Sequence, residues 1–427
     1  MAHMKTLNFK IYTLGCKVNQ YDSSVLAKEL ITAGCCESDE AVSLAIVNTC
    51  SVTKSAVAKD RAIVARARKI HAHAKIVVIG CLPRIYSATD INADLICADK
   101  DPKIIATKIL KFFPVDPKST KTSCQISARQ SIDRARYFIK IQDGCRQFCS
   151  YCVIPYSRGE LCSRAPIKII EEIKEALAAG YQEIVLSGIH LGLYGVDLKN
   201  TKINLVGIMK KIIALPGDFR IRLSSIEITE VTDELMTLMA ENNKICQHLH
   251  ISLQSGCDKI LKSMNRPYST KFFASKIKKL RALMPLIAIS TDIIVGFPGE
   301  NDNDFAVTYD FASAINFSKI HVFSFSAHEK APAFNFPDKV KPEVIKERSR
   351  RLRALSETLE RAYAERVTTD LSGQEIAVLI ESWSAPQFKA KTEFYFDLNI
   401  SKKLISAATV KVLAPARLIG HLVKIKI

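Results

Sequence analysis

The stretch Asp143-Gly144-Cys145-Arg146-Gln147-Phe148-Cys149-Ser150-Tyr151-Cys152 places three cysteines at C-x3-C-x2-C spacing, directly after the strand-like run Tyr137 to Ile141. On one short loop, such a trio wraps a corner of a compact metal cluster without help from distant parts of the chain. A closed structural zinc takes four ligands, and a cubane iron–sulfur cluster is usually held by four thiolates. Three thiolates therefore leave one metal position free for a substrate or cofactor. A zinc knuckle completed by a distant fourth ligand, or a chance group of inert thiols, would use the same residues differently. Upstream, Gly15-Cys16, Asn48-Thr49-Cys50 and Gly80-Cys81 each fall just past the end of a strand-like run. In open parallel sheets the carboxyl ends of the strands line one edge, where ligands bind. Thiols more than 30 residues apart in sequence thus converge there. Small buried residues closing three strands would produce the same pattern without chemistry. Cys97 ends a fourth run without Gly or Thr before it and is assigned to packing. Cys35, Cys36, Cys124, Cys162, Cys246 and Cys257 are assigned to packing or surface.

Alternating strands and helices must position both trios. Residues 4–118 alternate short apolar runs (Phe9 to Leu14, Val42 to Val47, Ile76 to Ile79, Leu95 and Ile96) with helical stretches, which predicts a flavodoxin-like parallel α/β sheet. Residues 119–132, with Ser, Thr and Lys and little periodicity, read as a linker. From 133 to 367 the alternation continues through strands at Glu183 to Leu186, Phe219 to Leu223, His248 to Leu253, Ala288 to Val295 and Ile320 to Phe325. Six strands in this rhythm predict a partial (β/α)6 barrel with its active site at the strand carboxyl ends. Those ends carry Ser187-Gly188, Ser224-Ser225-Ile226-Glu227, Gln254-Ser255-Gly256 and Gly296-Phe297-Pro298-Gly299-Glu300. Glycine there admits close backbone approach, and Ser, Gln and Glu hydrogen-bond ribose hydroxyls or an amine. The helix Lys346 to Val367 carries Arg348, Arg350, Arg351, Arg353, Arg361 and Arg366 on a face read as solvated. Residues 368–427 break into short β-like runs, among them Phe394 to Leu398 and Ala408 to Leu413, and predict a small all-β barrel. Barrels of that size serve as single-strand RNA platforms. Trp383, Phe394, Tyr395 and Phe396 are read first as core.

The chain has 427 residues, 48% hydrophobic and 24% charged, with 61 basic against 43 acidic residues and a net charge of +18. That excess attracts polyanions, of which nucleic acid is the commonest. No apolar run reaches the roughly 18 to 20 residues that span a bilayer, and Met1 to Lys10 lacks the apolar core of a signal peptide. The expected location is the cytoplasm, where thirteen cysteines serve as metal ligands or packing rather than as a disulfide framework.

Taken together, Thr13-Leu14-Gly15-Cys16-Lys17-Val18-Asn19-Gln20, Asn48-Thr49-Cys50, Gly80-Cys81 and the C-x3-C-x2-C loop running into Val153-Ile154-Pro155-Tyr156-Ser157-Arg158-Gly159 resemble the radical S-adenosylmethionine (SAM) methylthiotransferase family. The resemblance covers nearly the whole chain and implies a cluster domain, a radical SAM barrel and a carboxyl-terminal TRAM-type RNA-binding barrel. Within the family, Gly-Cys-Lys-Val-Asn-Gln and Ser187-Gly188-Ile189-His190-Leu191-Gly192 are similar to the branch that modifies N6-threonylcarbamoyladenosine beside the tRNA anticodon. Two features depart from the pattern: Leu82-Pro83-Arg84 after the third cysteine, and a short last barrel.

The resemblance implies two [4Fe–4S] clusters. One, on Cys145, Cys149 and Cys152, binds SAM at its open iron and cleaves it to a radical that takes hydrogen from C2 of adenine. The other, on Cys16, Cys50 and Cys81, carries the sulfur that a second SAM methylates. Tyr151 is placed to contact the SAM adenine, and Gly188, Ser225, Glu227, Gln254 and Gly296 are candidates for the remaining SAM contacts. The implied partners are the tRNA anticodon stem-loop, an electron donor such as a flavodoxin or ferredoxin, and a sulfur source. Action on isopentenyladenosine or on a ribosomal-protein side chain, and a non-catalytic zinc-stabilised RNA-binding module, remain as alternative readings.

Overall fold

The computed structural model describes residues 7–86, 91–114, 135–199, 201–401, 405 and 418–427. The expected linker 119–132, the strand Ala408 to Leu413 and Cys124 lie outside these residues.

The amino-terminal part comprises β1 (Asn8–Thr13), α1 (Lys17–Thr32), β2 (Cys36–Glu37), β3 (Leu44–Thr49), α2 (Lys54–Ile70), β4 (Lys75–Gly80), β5 (Leu95–Ile96) and α3 (Pro102–Phe112). Its strands form one parallel sheet in the order β2-β1-β3-β4-β5. β3 is buried at every position, as a central parallel strand covered on both faces must be. Thr53 caps α2 by accepting from Ala56 N at 3.0 Å, and Asp101 caps α3 by accepting from Lys103 N at 2.9 Å. Each such cap satisfies a helix-end donor that would otherwise lack a partner. Because β1, β3 and β4 are adjacent, the residues following them, Cys16, Cys50 and Cys81, emerge on one edge.

The middle of the chain contains β6 (Tyr137–Lys140), β7 (Gln142–Asp143), α4 (Ile154–Arg158), β8 (Cys162–Ser163), α5 (Pro166–Ala178), β9 (Glu183–Ser187), α6 (Leu205–Ile213), β10 (Arg220–Leu223), β11 (Ser225–Ile226), α7 (Asp233–Glu241), β12 (His248–Ile251), α8 (Asp258–Ser263), α9 (Thr270–Leu283), β13 (Ala288–Val295), α10 (Asp302–Ile315), β14 (Lys319–Ser324) and α11 (Pro342–Asp370). The six expected strands are all present. They form two parallel sheets, β10-β9-β6 and β11-β12-β13-β14, because the third strand is interrupted at Ser224 between β10 and β11. One apolar core runs through both, from Ile139 and Leu186 to Ile293 and Phe317. Tyr21 of α1 belongs to it, and α1 packs beside β6, the edge strand of its sheet.

The tail adds β15 (Glu375–Ser384), β16 (Gln387–Thr392), β17 (Asp397–Ser401) and β18 (Leu422–Lys426), an antiparallel sheet in the order β17-β16-β15-β18. The strand expected from Phe394 begins only at Asp397. Thr392 N donates to Phe396 O at 3.1 Å and Tyr395 N to Thr392 O at 3.2 Å, closing a tight turn in which Tyr395 adopts φ +65°. Phe394 and Phe396 enter the tail core as expected, with Tyr363 and Val367 of α11. Tyr395 leaves it for the barrel wall, where its ring stacks on His248 at 4.2 Å between centroids. The tail docks through two barrel arginines. Arg220 and Arg222 share the buried carboxylate of Glu183 at 2.6 and 2.8 Å and donate to the carbonyls of Ala377, Lys391, Thr392 and Glu393 at 2.9 to 3.1 Å. The arginine face of α11 is not solvated throughout: Arg348 is buried and pairs with Glu300 at 2.8 Å and Asp302 at 2.7 Å. No helix among the described residues is long and apolar enough to cross a membrane.

Candidate active site

Backbone geometry gathers the first trio. Gly15 has φ +94°, and a Cβ there would lie 2.6 Å from Cys50 Cβ. Only glycine both accepts that conformation and lets the Cys16 loop approach Cys50 so closely. Asn19, in the first turns of α1, donates to Leu14 O and Thr49 O, each at 2.8 Å, and so ties the loop before Cys16 to the residue before Cys50. Both carboxylate oxygens of Asp60 accept from Cys50 N, at 3.1 and 3.0 Å. Burial, reinforced by the Cys81 and Cys16 thiols, pushes the Cys50 thiol up to about 12. Cys50 is thus in electrostatic contact with both other sulfurs of the trio.

The second trio occupies the loop after β7. Gly144 at φ +73° passes so close to the Glu160 carbonyl that a Cβ would overlap it. Cys145 N donates to Gly159 O at 3.0 Å and Cys152 N to Cys149 O at 3.0 Å, which curls the loop, and Cys152 interacts electrostatically with both Cys149 and Cys145. Cys145 Sγ lies 3.3 Å from His190 Nδ1, and His190 Nε2 lies 2.7 Å from Glu230 Oε1. Burial works against a charged His190, but its bonds to Cys145 and Glu230 prevail and raise it to about 9. Arg266 Nη1 donates to Cys149 Sγ at 3.1 Å and lies 3.5 Å from Tyr151 Oη, while Nη2 pairs with Glu227. Burial, then the neighbouring Cys149, pushes the Cys152 thiol up to about 12.

A buried ionic relay joins the two trios. Arg158 is 1% exposed. Its Nη1 donates to both Asp143 oxygens at 2.9 and 3.0 Å, Nη2 donates to Asn19 Oδ1, and Asp22 lies at 3.6 Å. Lys140 completes the group, bonded to Asp22 and, at 3.1 Å, to Asp143. Asp143 precedes the second trio by two residues, and Asn19 holds the loops of the first. Arg158 therefore touches the supports of both.

The structure brings Tyr151 and Glu227 together around Arg266. Gln254 sits at φ +68°, its N–H on Asp292 O at 2.8 Å. Gly188 is packed against Gln142, Ser225 is exposed, and Gly296 packs on Ile345 of α11 while its N–H donates to Glu300 at 2.8 Å. Cys35, Cys97, Cys246 and Cys257 are buried and Cys162 is exposed, in keeping with packing and surface roles, whereas Cys36 is disulfide-bonded. Sequence reasoning missed Arg266 altogether. It lies in Met264-Asn265-Arg266-Pro267-Tyr268, where the only local signal is the helix end before Pro267.

Residues 139–312 match the model of the Radical SAM superfamily, and residues 8–97 match that of an uncharacterized protein family, UPF0004. The chain is 36% identical over 376 residues to threonylcarbamoyladenosine tRNA methylthiotransferase MtaB of Bacillus subtilis, covering 84% of this chain and 82% of that protein. The chain belongs to the radical SAM tRNA methylthiotransferase family. This methylthiotransferase is also 31% identical to tRNA-2-methylthio-N(6)-dimethylallyladenosine synthase of Carboxydothermus hydrogenoformans, over 99% of this chain and 97% of the other. In fold it is similar to the radical SAM methyltransferase TsrM of Kitasatospora setae, with a TM-score of 0.55 and 14% identity over 75% and 73% of the two chains. As a radical SAM enzyme it uses SAM and a [4Fe–4S] cluster, and its substrate is tRNA.

The residues present fit such a group. Ser187 and Ser224, at the ends of β9 and β10, and Ser51, beside Cys50, are buried with hydroxyls that have no hydrogen-bond partner. Buried polar groups without partners are costly, so these atoms are suited to a bound ligand. Among the described residues no three His, Cys, Asp or Glu side chains converge on a single-ion site. Thiolates of a cubane each bind a different iron and need not converge as the ligands of one ion do.

Proposed function

We propose that this methylthiotransferase inserts a methylthio group at C2 of N6-threonylcarbamoyladenosine next to the tRNA anticodon, with two [4Fe–4S] clusters and two SAM per turnover. The observation that carries the proposal is the relay of Asp143, Arg158 and Asn19, which fixes one three-cysteine set against another. Cys145, Cys149 and Cys152 hold the SAM-binding cluster and Cys16, Cys50 and Cys81 the other. The clusters with SAM supply a radical able to break an unactivated C–H bond and a sulfur to replace the hydrogen, chemistry beyond ordinary acid–base side chains.

The protein's own residues bind, orient and exclude water. Arg266 donates to the Cys149 sulfur, holds Glu227 and approaches Tyr151, and so orders the wall against which SAM lies. His190, backed by Glu230, donates to the Cys145 sulfur and so fixes its orientation. Gly188, Ser225, Gln254 and Gly296 provide the remaining SAM contacts. A flavodoxin or ferredoxin in the cytoplasm delivers the electron, and a separate source renews the sulfur.

Cys16→Ala, Cys50→Ala or Cys81→Ala should leave SAM cleavage intact and abolish methylthiolation, with iron falling from about eight to about four per chain, one cubane's worth. The same substitutions at Cys145, Cys149 or Cys152 should abolish SAM cleavage. Mass spectrometry of tRNA nucleosides from cells lacking and overproducing the protein identifies base and added group together. Persistence of the methylthio derivative of threonylcarbamoyladenosine in cells that lack the gene and any homologue would refute the substrate. Appearance of methylthio-isopentenyladenosine instead would assign the second substrate class, the one in the name of the relative from Carboxydothermus hydrogenoformans.

A further inference from the structure

Lys17 follows Cys16 directly, yet its strongest electrostatic neighbours are Tyr395, Arg136, Arg222 and Glu183, none of them a cysteine. Tyr395 is the focus of that group. Its ring stacks on His248, and Lys391, Arg222 and Arg136 lie 4.8, 5.0 and 5.8 Å from the ring centroid. The other cations each have a carboxylate: Arg220 and Arg222 share Glu183, Arg136 pairs with Glu381 at 2.9 Å, and Lys391 pairs with Asp397. Glu393, near Arg220 and Arg222, is held above the ordinary carboxylate range by burial. Lys17 has no ion pair among the described residues.

Two more groups around the ring have bonding capacity to spare. Arg136 Nη1 and His248 Nδ1 are buried without a hydrogen-bond partner. His248 is 3% exposed, and burial keeps its imidazole neutral. Its other nitrogen is engaged with Ser290 Oγ at 3.1 Å. An unpaired ammonium beside an unsatisfied buried guanidinium nitrogen and a partnerless imidazole nitrogen is unfavourable in the empty protein. It becomes favourable when an anion with two oxygens enters, because charge-assisted hydrogen bonds are the strong ones.

We propose that Lys17, Arg136, His248 and Tyr395 form a carboxylate-binding site that selects an adenosine whose N6 substituent ends in an amino-acid carboxylate. The inference deepens the proposed function and rests on its reaction at C2 of a modified adenosine. Lys17 adjoins Cys16 in the chain, so its ammonium is one side chain away from the first trio. The carboxylate of such a nucleoside lies several bonds beyond the reacting carbon, on the N6 substituent of C6, which is separated from C2 by N1 alone. With its base at the trio, such a nucleoside has a substituent long enough to carry that group to Lys17 and the Tyr395 cluster. A site built for a charged group rejects the analogue that lacks it, since the buried donors are then left unpaired.

The test uses the iron-loaded full chain and one anticodon stem-loop prepared in three forms, with threonylcarbamoyladenosine, its carboxylate methyl ester, or isopentenyladenosine. KM and kcat are measured for each, together with affinity of the cluster-free protein for the same three RNAs. Wild-type protein should prefer the free acid to the ester by roughly tenfold or more in both affinity and KM, as expected for one charge-assisted contact. Lys17→Met should erase that preference by raising KM for the acid alone, with kcat and iron content unchanged, and Lys17→Arg should retain most of it. Because Lys17 adjoins a ligand, Arg136→Gln is the second variant and should show the same selective loss with iron intact. An equal loss on all three RNAs would mark a phosphate contact and overturn the carboxylate site, as would an unchanged preference in both variants. A wild-type enzyme that acts on threonylcarbamoyladenosine but does not distinguish acid from ester refutes the site alone. One that acts only on isopentenyladenosine refutes the proposed substrate and the site with it.

Discussion

Arg158→Met is the substitution that most directly examines how the two trios are held. The wild-type guanidinium makes two bonds to Asp143 and one to Asn19 and lies near Asp22, all away from water. Removing one partner of a buried pair costs about 3–5 kcal/mol, mainly because a charge is left uncompensated. Lys140 remains in contact with both carboxylates, which puts the expected cost at the lower end, about 3 kcal/mol. At 1.4 kcal/mol per factor of ten, that is roughly a hundredfold. Hydrogen exchange at the amides of the first turns of α1 reads it locally, as a loss of protection of that order against wild type, while the tail sheet is unaffected. Arg158→Met combined with Asp143→Asn should cost less than the two single changes added, since the stranded charge is gone. The loosened junction should also raise the amount of SAM cleaved per methylthiolated tRNA. A protection loss below tenfold, or strict additivity in the double variant, would show that water screens the relay and that it does not set the spacing.

Gly15→Ala forces a Cβ to within 2.6 Å of Cys50 Cβ at a left-handed φ, so the first trio should fail to load while the second still does; iron per chain should fall by about half. Arg266→Met removes the donor to the Cys149 sulfur and the partner of Glu227, and should weaken SAM binding by about tenfold or more in equilibrium dialysis, the loss of a charged hydrogen bond. Burial would raise Glu183, but Arg222 and Arg220 hold it well below its ordinary value of 4.5. The stability it contributes is therefore fully present above that value and lost as pH falls through the lower folded value. Glu183→Gln should strand both arginines, cost about 3–5 kcal/mol at neutral pH and flatten the acid limb of a denaturation profile below about pH 4.

Much of this was legible because local chemistry demanded it. The C-x3-C-x2-C loop closes on itself through near-neighbour backbone bonds, so spacing alone predicts one three-ligand corner. The βα rhythm likewise predicts six barrel strands, since apolar runs of that length find burial only in a covered parallel sheet. The long helix and the turn at Tyr395 were less legible. α11 begins at Pro342 rather than Lys346, and the aromatic run Phe394-Tyr395-Phe396 reads as strand until Thr392 and Phe396 close a turn that splits its side chains between two cores.

By itself the sequence determined which residues have metal-binding chemistry and which elements carry them, because residue type and short-range periodicity are properties of the chain. The tertiary structure alone decided that β1, β3 and β4 are neighbours, which turns three scattered cysteines into one edge. It also decided the partners of the buried charges. Arg158 meets Asn19 across 139 residues and Arg266 meets Cys149 across 117, distances over which no local propensity acts. A guanidinium removed from water must find carboxylates, carbonyls or sulfurs wherever the packed elements put them.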